Sequence, residues 1–149
     1  MNESELTATE AVQRCQEIFA HAWMVRTFVK HSPEAEEFPE LMQVARTVFD
    51  VARSLESRVD DPPAYFRQLN KKWRKLREAV NQFRHDAPLA SDHTNFKQAV
   101  ISLDACLSAW ERTAHSVGLD LPQSRGSAAE EEVKRELDST IARPDDDTT

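Results

Sequence analysis

Glycine is almost absent from this chain, which has only Gly118 and Gly126 among its 149 residues. Dinucleotide-binding turns, phosphate-binding loops and nucleophile elbows all need several closely spaced glycines. RNA-binding modules that clamp the backbone with a glycine loop need them as well. The sequence therefore excludes these classes of nucleotide enzyme, hydrolase and RNA-binding domain.

Cysteine and histidine are also scarce, with two cysteines and five scattered histidines. Structural zinc sites and cysteine-ligated iron–sulfur clusters need four closely spaced ligands, so the sequence excludes both. Cys15 and Cys106 lie on or beside apolar helix faces, where a free cysteine behaves as a small hydrophobic residue. We therefore expect two buried thiols rather than a disulfide.

Long apolar runs are missing too. The longest one, residues 18–29, is broken by His21, Arg26 and Thr27 and is too short to span a bilayer. The first twenty residues are acidic and amphipathic, without the basic start and apolar block of a secretory signal. These features predict a cytoplasmic protein with no membrane partner.

What the chain does contain is helical periodicity. Its prolines are clustered, and the long segments between them repeat apolar residues at alternating spacings of three and four. The sequence predicts four long helices, over about 5–31, 39–59, 62–86 and 92–117. Asp61 is expected to cap the third helix, with Pro62 in its first position, and Ser91 or Asp92 the fourth. Gly118 is expected to follow the last helix.

Four helices of similar length joined by short loops predict an all-α protein. The expected architecture is an antiparallel up-down-up-down four-helix bundle over residues 1–118. Residues 119–149 have a different, acidic composition and predict a partly disordered C-terminal tail. Within it, a short amphipathic helix is expected at about 128–142, striped by Val133, Leu137 and Ile141. That tail is either a solubilising appendage or a peptide that docks in a groove.

The first predicted helix has more apolar surface than one bundle position can bury. Trp23, Met24 and Phe28 lie on either side of its main apolar stripe. Apolar patches of this size on a soluble protein mark association surfaces. We therefore expect a protein-interaction module that forms a homodimer through this helix or binds another protein there.

A basic band is predicted on the outer face of the third helix, formed by Arg67, Lys71, Arg74 and Lys75. Such a band fits an acidic protein surface or a phosphate backbone. The net charge of −7 argues against general nucleic-acid binding, so that partner is not favoured. The other alternative is a solvated face whose charge is balanced within the chain by the acidic segment 34–40 and the acidic tail.

Charged residues also interrupt the apolar faces. The candidates for buried polar groups are Arg26, Glu56, Lys72 and Glu111. Glu56 and Glu111 are expected toward the same end of the bundle, near Arg14. Such groups either form ion pairs that fix the helix register or line a polar pocket for a ligand or metal. We expect the first alternative, with no cofactor and no bound metal.

One motif points to a catalytic alternative. The segment from Arg26 to His31, an arginine followed by four residues and a histidine, resembles the motif of HEPN-domain ribonucleases. The resemblance implies a small all-helical protein in which His31 acts as general acid or base and Arg26 stabilises phosphate charge, usually across a homodimer. The leading interpretation is a non-enzymatic interaction module. The alternatives are this RNA-processing nuclease and a ligand- or metal-binding bundle.

Overall fold

The structure, a computed structural model, describes residues 6–123, and every regular element in that range is helical. This confirms the predicted all-α class. The α-helices of the described range are α1 (Ala8–Lys30), α2 (Pro33–Glu37), α3 (Met42–Glu56), α4 (Pro62–Ala90) and α5 (Thr94–His115), with a 3-10 turn at Pro39–Leu41. Among them, none is long and apolar enough to cross a membrane. The predicted tail helix at 128–142 lies outside the described residues.

The four long helices surround one apolar core. α1 packs on α3 and on α5, and α4 packs on the same two helices, whereas α1 and α4 touch each other less. Trp110 of α5 lies near the centre, with its ring centroid 4.4 Å from that of Phe19 and 6.1 Å from that of Trp73. Its indole Nε1 donates to the backbone oxygen of Cys15 at 3.4 Å. Trp110 therefore ties α1, α4 and α5 together.

Local sequence signals fix several helix ends as predicted. Asp61 Oδ1 accepts from the Ala64 amide at 3.2 Å, with Pro62 in the first helical position of α4. Gly118 has φ +87°, a conformation that an L-residue with a side chain rarely adopts. The cap of α5 differs from the prediction, because His93 Nδ1, rather than Ser91 or Asp92, accepts the Asn95 amide.

Two loops that the sequence predicts are helical instead. α4 continues through Pro88 to Ala90 and closes with a hydrogen bond from the Ser91 amide to the Ala87 oxygen, so the proline does not end the helix. Between α1 and α3, Ser32 caps the short α2, with its Oγ accepting from the Ala35 amide. Near the end of the described range, Leu121 is buried against the core. The packed region therefore extends beyond the predicted boundary at residue 118.

Candidate functional site

Two arginines and two aromatic rings alternate across the surface between α1 and α3. This arginine–aromatic ladder consists of Trp23, Arg26, Phe49 and Arg53. The Arg26 Cζ lies 4.2 Å from the Trp23 ring centroid and 5.2 Å from that of Phe49. The two rings are 5.7 Å apart, and Arg53 Cζ lies 5.6 Å from the Phe49 centroid. The ladder therefore forms one continuous stack.

Helix geometry explains why these four side chains meet. Trp23 and Arg26 are three residues apart on α1, and Phe49 and Arg53 are four apart on α3, so each pair shares one helix face. Packing of α1 on α3 then brings the two faces together. Trp23, Arg26 and Phe49 are half-buried and Arg53 is exposed. The stack is consequently in contact with solvent and is not part of the buried core.

The charge of Arg26 has no acidic partner in the described part of the chain. Its Nη1 donates to Thr27 Oγ1 at 3.3 Å, and its Nε is buried without a hydrogen-bond partner. No salt bridge within residues 6–123 involves Arg26, whereas Arg53 Nε lies 3.4 Å from Glu56 Oε2. Arg26 is thus a cation stabilised by aromatic faces, with donors left for an external acceptor.

The predicted association residues of α1 divide between the two neighbouring helices. Trp23 packs on Phe49 of α3, and Phe28 packs on Phe96 of α5 with ring centroids 5.1 Å apart. Met24 stays 66% exposed. Much of the apolar excess of α1 is therefore covered within the chain, because α3 and α5 flank it on both sides.

The basic band of α4 is exposed as predicted. Two further cations of this helix face α5, where Arg77 pairs with Glu111 at 2.7 Å and Arg84 pairs with Asp104. Within the described range, no salt bridge involves the exposed four, which are Arg67, Lys71, Arg74 and Lys75. Their charge is therefore directed to solvent.

The four candidates for buried polar groups differ in their exposure to solvent. Glu111 and Lys72 are half-buried, like Arg26. The ion-pair partner of Glu111 is Arg77 of α4. Glu56 contradicts its prediction, because its side chain is 59% exposed and pairs with Arg53. As the last residue of α3, Glu56 has no following turn to cover it.

Arg26 and His31 of the ribonuclease-like motif face different surroundings. His31 is exposed and lines an open cavity of about 510 Å³ with His93 and Glu34. Arg26 does not line that cavity and stacks toward α3 instead. Across residues 6–123, no three histidine, cysteine, aspartate or glutamate side chains are grouped so that they could hold a metal ion.

The two cysteines are free and buried, as predicted. Burial raises the pKa of the Cys15 thiol to about 12 and that of Cys106 to about 11. Burial also raises the pKa of Tyr65, whose hydroxyl donates to Gln16 Oε1 at 2.6 Å. Both thiols therefore stay protonated at neutral pH, and neither has the character of a nucleophile.

Sequence reasoning missed Phe49, Arg53 and Asp86. The i,i+4 spacing of Phe49 and Arg53 is a usable signal, but both residues lie outside the apolar stripe of their helix. Asp86 is 5% exposed, and its Oδ1 accepts from Gln82 Nε2 at 3.0 Å. Its position three residues after the buried Phe83 was the only local sign of its burial.

On the surface between α1 and α3, the described residues form a group that is suited to binding a ligand. The ladder offers two apolar ring faces and a guanidinium that fits a carboxylate with two parallel hydrogen bonds. Comparison of the chain with protein-family models, curated proteins and solved structures finds no match.

Proposed function

We propose that this protein is a non-enzymatic interaction module that binds an acidic segment of a partner protein at the arginine–aromatic ladder. The observation that carries the proposal is Arg26, half-buried between Trp23 and Phe49 without a carboxylate partner in residues 6–123. Tryptophan and arginine are enriched among the few residues that contribute most of the binding energy of protein interfaces, where the partner desolvates them. A partner carboxylate at Arg26 would complete the stack.

The charge of this surface favours an acidic partner over a second copy of the chain. In a two-fold dimer the same surface of each copy meets the other. Arg26, Arg46 and Arg53 outnumber the acids Asp50 and Glu56 there, so two copies would bring surfaces of net positive charge together. Self-association through α1 is the second candidate, and the exposure of Met24 is the observation that favours it.

We also infer that the four long helices form the up-down-up-down bundle. In support, α1 and α4 each pack on both α3 and α5. Arg77 pairs with Glu111 and Arg84 with Asp104, so a step of seven residues forward along α4 matches seven backward along α5. A bundle of this kind holds α1 and α3 side by side before the partner arrives. Such preorganisation lowers the entropy cost of binding.

The test is affinity capture from source cells with the wild-type chain and matched charge reversals on two faces. Arg26→Glu changes the ladder, and Arg67→Glu changes the band on α4. We expect an acidic protein that wild type and Arg67→Glu retain and that Arg26→Glu loses. With the purified pair, Arg26→Glu should weaken binding by about 30-fold or more, as a desolvated hot-spot arginine does.

A more conservative substitution separates the contribution of stacking to binding from the contribution of charge. Arg26→Lys keeps the positive charge and loses the planar guanidinium, so we expect about tenfold weaker binding. Loss of the captured protein with Arg67→Glu and not with Arg26→Glu would contradict the proposal. Light scattering of the wild-type chain gives the oligomeric state, and a dimer that Met24→Ser converts to monomers would favour the second candidate.

A further inference from the structure

A cleft lies where α1 begins and α5 ends, away from the arginine–aromatic ladder. Its volume is about 480 Å³, within the range of pockets that hold small molecules. Arg14 of α1 and Arg112 of α5 line it. Its apolar lining is formed by Leu6, Ala109 and Leu121, the last of which is buried against the core. The cleft therefore combines cationic walls with an apolar surface.

The acidic side chains of the cleft already have partners. Glu111 Oε2 accepts from Arg77 Nη1 at 2.7 Å, and Asp120 Oδ1 lies 2.8 Å from His115 Nδ1. Arg14 and Arg112 are exposed, and the salt bridges of residues 6–123 include neither. Because Arg77 from outside the cleft neutralises Glu111, the two guanidinium groups of the cleft outnumber its remaining carboxylate, that of Asp120.

Two acidic residues lie within about one turn of Arg14 on α1, and each already accepts a hydrogen bond, Glu17 Oε2 from Gln13 Nε2 at 3.3 Å. Glu10 lies four residues before Arg14, and its Oε1 accepts from the Thr7 amide at 3.0 Å in the capping box of α1. The pKa of Glu10 is lowered first by that hydrogen bond and only last by the charge of Arg14. Arg14 is therefore available for an external anion.

We propose that this cleft binds a small amphipathic anion, with a carboxylate or phosphate head and an apolar body. Arg14 and Arg112 would hold the head, since guanidinium groups match both anions with paired hydrogen bonds. Leu6, Ala109 and Leu121 would contact the body. No residue of the arginine–aromatic ladder belongs to this site. A negative result for this proposal therefore does not bear on the proposed function, and the reverse also holds.

Calorimetric titration of the full-length chain tests the proposal with four probes. Octanoate and octyl phosphate carry both a head and a body, acetate carries a head alone, and 1-octanol carries a body alone. We expect at least one of the two amphipathic anions to bind about tenfold or more tightly than acetate and 1-octanol. The tighter of the two anions identifies the preferred head group.

Variants assign that binding to the cleft. Arg14→Gln and Arg112→Gln should each weaken it by about tenfold or more, because each removes a charged hydrogen bond to the head. Arg46→Gln, another exposed arginine on a helix, should leave it unchanged. Both cleft arginines are exposed, so these variants keep the core intact, and an unchanged melting temperature verifies this. The proposal is wrong if neither anion binds, if 1-octanol binds as tightly, or if both cleft variants bind like wild type.

Discussion

The guanidinium of Arg26 lies 4.2 Å from the centre of the Trp23 ring, one turn earlier on the same helix. Sequence alone places Arg26 on an apolar face, where an ionised group without compensation costs several kcal/mol. The structure supplies the compensation as two aromatic faces, one from α1 and one from α3. The same stack that stabilises the cation leaves its charge without a carboxylate in residues 6–123, which is the property expected of a binding residue.

Replacement of Trp23 tests whether it belongs to a surface or to the core. Trp23→Ala removes a half-buried ring and its contacts with Phe49 and Arg26, so the expected loss is about 1–2 kcal/mol in the free energy of unfolding. Trp110→Ala, which empties a fully buried position, should cost about 3–5 kcal/mol. Urea denaturation measures both. An equal loss for the two variants would make Trp23 a core residue and weaken its role in binding.

The start of α4 offers a matched pair of neighbouring aspartates. Asp61 Oδ1 accepts the Ala64 amide and is the N-cap, whereas Asp60 lies one residue before the cap. Asp61→Ala should lower the free energy of unfolding by about 1 kcal/mol. Asp60→Ala should change it by less than about 0.5 kcal/mol. Denaturation curves that coincide for the two variants would show that the cap does not stabilise α4.

Alkaline pH should destabilise the fold through the buried thiols. Their pKa values are raised to about 12 for Cys15 and about 11 for Cys106. An unfolded chain releases these protons near pH 8.5, while the folded chain retains them, so stability falls as the pH rises above that value. For Cys15 the loss is about 1.4 kcal/mol per pH unit, and it ends near the folded-state pKa.

Urea unfolding of the reduced protein at pH 8, 9 and 10 measures this decline. The double variant Cys15→Ala, Cys106→Ala should lose stability more slowly over that range, although its stability at pH 8 is lower because two buried side chains are smaller. The two proteins differ only at positions 15 and 106, so the difference between the two slopes isolates the thiols. Identical slopes would show that the thiols ionise in the folded state as they do in the unfolded chain.

Local signals explain why much of the fold could be predicted. Apolar spacing predicted the four long helices, because a helix must bury one face. Asp61 and Gly118 were correct markers of helix ends. Asp61 caps the first turn of α4, and Gly118 adopts the positive φ that follows α5. The loop predicted around Pro88 is wrong, because α4 runs through this residue to Ala90. A single short turn such as α2 has too few residues to show periodicity.

The site was less predictable, because it depends on which helices become neighbours. Trp23 and Arg26 were singled out from α1, but their partner Phe49 lies on α3, outside the apolar stripe of that helix. The ion-pair partner of Glu111 depends on the same information. That partner is Arg77 on α4, and helix spacing within one segment does not show which helices become neighbours.

Photo-crosslinking in source cells gives the most direct check of binding at the ladder. A photoreactive residue at position 46 lies on the same face of α3 as Phe49 and Arg53, and one at position 89 serves as a control on α4. Arg46 and Leu89 are both exposed, so nonspecific labelling should be similar. We expect an acidic protein to be crosslinked at position 46 and not at position 89. Crosslinking of the same proteins at both positions, or of a second copy of this chain alone at position 46, would contradict the proposed function.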